Sequence, residues 1–338
     1  MRQSVHAVRI MMVALTLVFV VGVDTAPAQQ PSGSNPTALS VREDELLRKF
    51  GEVQGQITIP DEKLAMLEHP QGRDYRRFHE RVLPWIGGIA IVGMIVALAA
   101  FYFVRGPIRY KRDEKSGRKI LRFKVIERFT HWMTATSFIV LAITGLNYFF
   151  GKRLLLPLLG PDAFATWSHW AKYAHNFMAW PFMLGVLLMA VLWLRDNLPD
   201  RYDIEWLKAG GGFFGEGEPP AGRFNAGQKL IFWAVLLGGG LLSASGIVML
   251  FPFWFTDIDG MQAAQYVHAT MAVIMIAIII AHIYIGTLGM QGAWDAMGSG
   301  EVDLAWASQH HRLWVDEQLA KSRRGPPVGG GSAPAPAE

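Results

Sequence analysis

The chain of 338 residues contains no cysteine. That excludes disulfides, thiolate-held iron–sulfur clusters and covalent c-type haem attachment. Any metal or cofactor is left to His, Met or oxygen ligands. Charge is scarce as well: Asp, Glu, Lys and Arg make up 18% of the residues, against 51% in the hydrophobic set, with 12 Trp and 20 Phe. That balance suits a chain solvated by a lipid bilayer better than one solvated by water. The net charge of +4 gives no reason to expect a nucleic-acid partner; where the basic residues sit carries more information.

The first residues read as a signal peptide, residues 1–28. Arg2 and Arg9 supply a positive start, Ile10 to Val23 an apolar core, and Ala26-Pro27-Ala28 small residues for cleavage. An uncleaved anchor helix is the other reading, and both send the following segment out of the cytoplasm. Residues 29–83 form a periplasmic extension that begins as a polar leader. Within it, Ser40 and Glu43 make a capping-box signal for a short helix.

Five apolar segments follow, roughly Pro84–Val104, Phe129–Phe150, Tyr173–Leu194, Leu230–Phe251 and Tyr266–Leu288. Each has the ~20 residues a helix needs to cross a hydrocarbon core. Trp and Tyr stand near their ends, as interfacial residues do: Trp85, Trp132, Trp170, Tyr173 and Trp254. Between the first two spans, Arg105 to Lys124 carries nine Lys or Arg against Asp113 and Glu114. Positive loops stay inside, so this loop is expected to be cytoplasmic. Gly151–Lys172 and Pro252–Gln265 then become periplasmic loops, and Arg195–Lys229 and the tail, residues 291–338, cytoplasmic. After Arg324 the tail is rich in Gly, Pro and Ala and is expected to be disordered. The expected fold is an all-α integral membrane bundle of four helices within residues 125–290, with one additional N-terminal span over 84–104.

Of ten histidines, four lie inside apolar spans: His131, His175, His268 and His282. Ionisable residues in a bilayer are costly and usually functional. His131 and His282 lie toward the cytoplasmic face, His175 and His268 toward the periplasmic face. Each pair comes from two different spans. His268 and His282 are fourteen residues apart on one span; at ~1.5 Å and ~100° per residue they are separated by about 21 Å and about 40° in azimuth. One helix face thus offers a ligand to each of two stacked sites, as a bundle does when it holds b-type haem between opposed imidazoles. Taken singly, each His also reads as a hydrogen-bonded packing residue. A haem-free metal-ion transporter is the rival from another class, but no Asp or Glu accompanies these histidines within the spans. Gly145, Gly185, Gly246 and Gly286 would let a flat macrocycle approach the backbone, or simply let helices pack closely.

Ahead of the fourth span stands Phe224-Asn225-Ala226-Gly227-Gln228-Lys229. A helix start exposes N–H groups; Asn225 and Gln228 add amides and Lys229 a cation. The group suits a quinone carbonyl and its protons, and equally suits a helix cap with an interfacial lysine.

From Arg122 to Leu319 the sequence resembles the gamma subunit of membrane-bound formate dehydrogenases, a di-haem cytochrome b. The resemblance rests on Thr130-His131-Trp132, Ala174-His175-Asn176, Asp196-Asn197-Leu198-Pro199-Asp200 with Trp206, Asn225-Ala226-Gly227-Gln228-Lys229, Val267-His268-Ala269, Ala281-His282-Ile283-Tyr284, and His310-His311 with Trp314. The preceding signal peptide and span mark a long variant. The resemblance implies two haem b groups, the periplasmic one on His175 and His268 and the cytoplasmic one on His131 and His282. It implies that Asn225, Gly227 and Gln228 line a quinone pocket beside His282. It also implies an iron–sulfur subunit and a molybdenum- or tungsten-containing catalytic subunit as partners, in a bacterial inner membrane. Formate would be oxidised on the catalytic partner, while this subunit carries electrons to quinone. The cytochrome subunit of a hydrogenase or thiosulfate reductase shares this architecture and stays open as an alternative. Tyr75, Arg76, Arg77 and Phe78 are expected to meet the partner subunits.

Overall fold

A computed structural model describes residues 70–109, 116–212 and 219–324. The signal peptide, the leader and the helix expected after Ser40 lie outside the described residues, as does the tail beyond Arg324. The described elements are α1 (Pro70–Arg77), α2 (Leu83–Arg105), β1 (Lys119–Leu121), α3 (Val125–Phe150), α4 (Leu156–Leu159), α5 (Pro161–Trp193), α6 (Arg201–Lys208), α7 (Ala226–Leu250), α8 (Ile258–Tyr284), α9 (Ala293–Gly298), β2 (Glu301–Asp303), α10 (Leu304–His310) and α11 (Arg312–Arg324). Five helical stretches are long and apolar enough to cross a membrane: 72–105, 125–159, 161–193, 226–250 and 258–289.

These stretches exceed the expected spans, because hydropathy finds the part in hydrocarbon and not the helix ends. Gly151–Lys172 was expected as a loop. Instead α3 continues through a π-turn into α4, Gly160 turns the chain at φ +78°, and Pro161 opens α5. Proline suits a first helical position, since its missing N–H has no partner to lose there. Likewise Asp257 caps α8, its side chain accepting from the N–H of Gly260, well before the apolar run begins. The tail is folded too: β2 pairs antiparallel with β1, Lys119 opposite Asp303, and α10 and α11 follow.

Helices α3, α5, α7 and α8 pack in that order, and α2 lies on α8. The membrane-facing surface keeps large apolar side chains exposed, including Phe103, Val104, Leu187 and Val191. Lipid solvates them as well as a core would, so contact between the spans comes from small residues and hydroxyls. At Gly185 of α5, an added Cβ would stand 2.1 Å from Thr134 Oγ1 of α3. Gly185→Val is therefore expected to wedge α3 from α5 and cost about 1–3 kcal/mol, read as a lower Tm in detergent.

A water-soluble core closes one end of the bundle, here termed the capped end. Phe123, Trp193, Phe224, Trp306, Trp314 and Val315 are buried there together. It joins the start of α3, the end of α5, the loop before α7 and the C-terminal helices. The other end, carrying α1 and the α7–α8 connection, is the open end.

Candidate functional site

The four histidines stand in two pairs. His131 of α3 and His282 of α8 face each other near the capped end, with ring centroids 6.2 Å apart. His175 of α5 and His268 of α8 do so near the open end, also 6.2 Å apart. A ring nitrogen lies about 1.1 Å from its centroid and a metal–imidazole bond is about 2.0 Å, so two imidazoles on opposite sides of one ion stand about 6.2 Å apart. Both pairs match that spacing. Among the described residues no group of three or more His, Cys, Asp or Glu stands together to hold a metal ion. Each pair would thus supply two imidazole nitrogens, a donor set that fits a b-type haem, whose other ligands would be the macrocycle's own.

Hydrogen bonds fix the open-end pair. His268 Nδ1 lies 3.1 Å from the Leu242 carbonyl and 3.1 Å from Ser245 Oγ. A carbonyl only accepts, so Nδ1 carries the proton and Nε2 keeps its lone pair. His175 Nδ1 lies 2.8 Å from Thr144 Oγ1, which already donates to the Val140 carbonyl at 2.7 Å. Thr144 therefore accepts, and His175 is in the same tautomer. Glycines stand beside both rings: an added Cβ would come 3.4 Å from His175 Cε1 at Gly145, and 3.5 Å from His268 Cε1 at Gly246, both ordinary contact distances. Gly185 instead serves helix packing, and an added Cβ at Gly286 meets nothing within contact distance.

At the capped end, charge holds the start of α3 in place. Glu127, buried one turn before His131, accepts from Trp193 Nε1 at 2.8 Å and from Arg223 Nη2 at 2.6 Å. Its other oxygen accepts from the backbone N–H of Lys124 at 2.8 Å, capping the helix. Arg223 also pairs with Asp196 at 2.7 Å. These bonds tie α3 to the end of α5 and to the loop before α7.

Arg122 is wholly buried among Phe123, Trp306 and Trp314. Burial, then repulsion from Arg223, lowers its pKa to about 9. Its Nη2 donates to the Arg223 carbonyl at 2.8 Å and to His311 Nε2 at 3.0 Å, while His311 Nδ1 donates to the Gly222 carbonyl at 3.0 Å. Burial first, and then the Arg122 cation, hold His311 well below the ordinary value of 6.5. The unfolded chain therefore takes up a proton that the folded chain refuses, and stability falls as pH drops below about 6.5. A Tm series across that range is expected to show this slope, and His311→Gln, neutral throughout, to flatten it.

Asn225, Gly227, Gln228 and Lys229 all lie at the capped end of α7. Asn225 is the N-cap: its Oδ1 accepts from Gln228 N at 3.0 Å, and Gln228 Oε1 accepts from Asn225 N at 3.1 Å. The side-chain oxygens are thus engaged in a capping box, and the amide NH2 groups are the donors outside it. Lys229 is buried and paired at 2.9 Å with both Asp200 and Asp203, which fastens α6 onto α7. Burial pushes the Asp200 carboxyl up, but hydrogen bonds from Lys229 and backbone N–H groups outweigh it and leave it below its ordinary range. Gly227 admits the Trp206 ring of α6, whose Cη2 would stand 2.8 Å from an added Cβ.

The described residues hold few buried side-chain polar atoms without a hydrogen-bond partner. They belong to Arg122, Thr130, His131, Asn197, Trp206 and Tyr284. Every one of these residues lies at the capped end. Sequence reading passed over Thr144 and Ser245, and gave Trp206 no role. A hydroxyl immediately before a glycine inside an apolar span was the available signal for the first two. No signal marked Trp206 Nε1, because its isolation depends on how α6 docks.

Residues 122–300 match the family described as prokaryotic cytochrome b561. The chain is 32% identical over 202 residues to the formate dehydrogenase cytochrome b556(fdo) subunit of Escherichia coli K12, covering 59% of this chain and 92% of that one. It is 29% identical over 206 residues to the nitrate-inducible cytochrome b556(Fdn) subunit of the same strain, with the same coverage. The formate dehydrogenase cytochrome b556 subunit of Haemophilus influenzae is 27% identical over 215 residues, or 62% of this chain and 87% of the relative. Helices α1 and α2 precede the family match.

Proposed function

The chain belongs to the prokaryotic cytochrome b561 family, as a membrane cytochrome b subunit of the formate dehydrogenase kind, and from that premise we propose that it carries electrons from an iron–sulfur partner at the open end, through two haem b groups, to quinone at the capped end. The catalytic partner, holding molybdenum or tungsten, oxidises formate. Haem supplies reversible one-electron chemistry; the protein supplies axial nitrogens, position and surroundings. His175 and His268 hold the outer group, His131 and His282 the inner one. The basic residues in and beside β1, among them Arg118, Lys119 and Lys124, lie at the capped end and support its assignment as the cytoplasmic face. The described N-terminal helix α1 is then periplasmic, and protons for quinone come from the cytoplasm of a bacterial inner membrane.

The distribution of unpartnered polar atoms carries the quinone assignment. Buried donors and acceptors are normally satisfied, and a group left open, as Trp206 Nε1 is, has room for a hydrogen bond to a ligand or a water. Asn225 Nδ2, Gln228 Nε2 and Trp206 Nε1 are donors suited to a quinone carbonyl, with Gly227 keeping backbone and ring close. Lys229 contributes through its carboxylate pairs, by holding α6 in place. Trp206→Phe removes the N–H and, with it, the far edge of the indole that lies over Gly227. It is expected to raise the apparent KM for a soluble quinone analogue roughly 5- to 10-fold, the worth of one hydrogen bond, with haem content unchanged. Wild-type KM values in both Trp206→Phe and Asn225→Ala would move the quinone site elsewhere.

The pairing geometry favours this reading over a transporter: two nitrogens per site, with no group of three or more His, Cys, Asp or Glu together among the described residues, would leave a bare metal ion short of ligands.

A further inference from the structure

The two histidine pairs share their spacing but differ in what surrounds them. On the open-end pair, each Nδ1–H meets oxygens supplied by the neighbouring helix: Thr144 Oγ1 with the Leu141 carbonyl for His175, and Ser245 Oγ with the Leu242 carbonyl for His268. The two arrangements are built alike. Each hydroxyl sends its own proton back one turn, Thr144 to Val140 at 2.7 Å and Ser245 to Leu241 at 2.6 Å. The oxygen therefore turns a lone pair toward the ring. Each hydroxyl is followed by a glycine that faces Cε1 of the same ring. At the capped-end pair, by contrast, His131 Nδ1 is buried with no acceptor from the described residues.

An acceptor on Nδ1–H makes the opposite ring nitrogen more basic. A more basic axial ligand favours oxidised over reduced iron, and second-shell hydrogen bonding is one of the protein's levers on potential. We propose that Thr144 and Ser245 are positioning residues that set the outer haem's potential below the inner one's, so that the bundle itself contains a downhill step from the open end to the capped end. Exchange between the two sites moves one electron, oxidising one iron as the other is reduced, with no bond made or broken. The driving force would then be set by two hydroxyls in the spans, and the direction would not depend on quinone being bound. This inference rests on the haem reading above.

The test is spectroelectrochemistry of the b-type absorbance, on full-length protein purified from membranes with its haem. Wild type is expected to show two reduction waves. Thr144→Val should move the lower wave to more positive potential and leave the upper wave in place. Ser245→Ala should move the same wave in the same direction, with a carbonyl, Leu141 for His175 and Leu242 for His268, left as the remaining acceptor in either variant. Thr144→Ser keeps the oxygen and should restore the wild-type position. Movement of the upper wave, or two unmoved waves in both Thr144→Val and Ser245→Ala, would overturn the proposal. If Thr144→Val fails to retain haem, Ser245→Ala decides by the same criterion. A single wild-type wave with the amplitude of two haems would also overturn the proposal, whereas fewer than two haems per chain would sink the haem reading on which it rests.

Discussion

His282→Ala is expected to lose about half of the haem and all quinone reduction, while the outer haem stays. A bis-imidazole site needs both rings, and His131 alone, with its Nδ1 unpartnered, offers one ligand and no anchoring bond. The outer site survives because nothing that fixes it is near the substitution. His268 lies fourteen residues away on the same helix, and its ring is held by Leu242 and Ser245 of α7. His268→Ala should remove the outer haem and leave the inner one, so the two variants are complementary. Haem-to-protein ratios and reduced-minus-oxidised spectra check both. Full haem in either variant contradicts the pairing.

Glu127→Ala carries the largest expected effect on stability. Its carboxylate is buried and accepts from Trp193, Arg223 and the backbone of Lys124. Removing one partner of a buried pair leaves the other uncompensated, which typically costs 3–5 kcal/mol, so a loss of about that size is expected here. Arg223 would keep only Asp196, and α3 would lose its cap one turn before His131. The expected result is a large fall in Tm accompanied by selective loss of the inner haem. Trp193→Phe, which removes one hydrogen bond to Glu127 and part of a buried ring, should cost about 1–3 kcal/mol. Equal losses in the two variants would show that the carboxylate is not the organising group.

The sequence made the spans and the histidine pairs legible, for physical reasons. A bilayer demands long apolar helices, and a histidine inside one stands out against Leu, Ile and Phe. Depth and a 3.6-residue period then pair His131 with His282 and His175 with His268, as the ring spacings do. Helix ends were less legible. The starts at Pro161 and Ile258 are set by capping and turn chemistry outside hydrocarbon, where hydropathy has little to say. The capped end was hardest to foresee. Arg122 is near Glu127 in sequence, but Arg223, Trp306 and His311 reach them only through the folded tail. Asn225 and Gln228 cap α7 through their oxygens, as one sequence reading held, and the capping box leaves their NH2 groups outside it. Lys229 was read as a cation at the quinone, whereas in the structure it is paired with Asp200 and Asp203. Those acids are 26 and 29 residues away in sequence, so no local pattern announced them. Thr144 and Ser245 passed as ordinary hydroxyls in transmembrane helices, because their partners are rings on other helices.

The central claim is that two opposed histidine pairs each hold a b-type haem. Haem quantification on the purified full-length protein, taken with low-temperature electron paramagnetic resonance, tests it most directly. The account predicts two haem b per chain, both low-spin with bis-imidazole ligation, and one lost with either His282→Ala or His268→Ala. A colourless protein, or a single haem that persists in both variants, would contradict it.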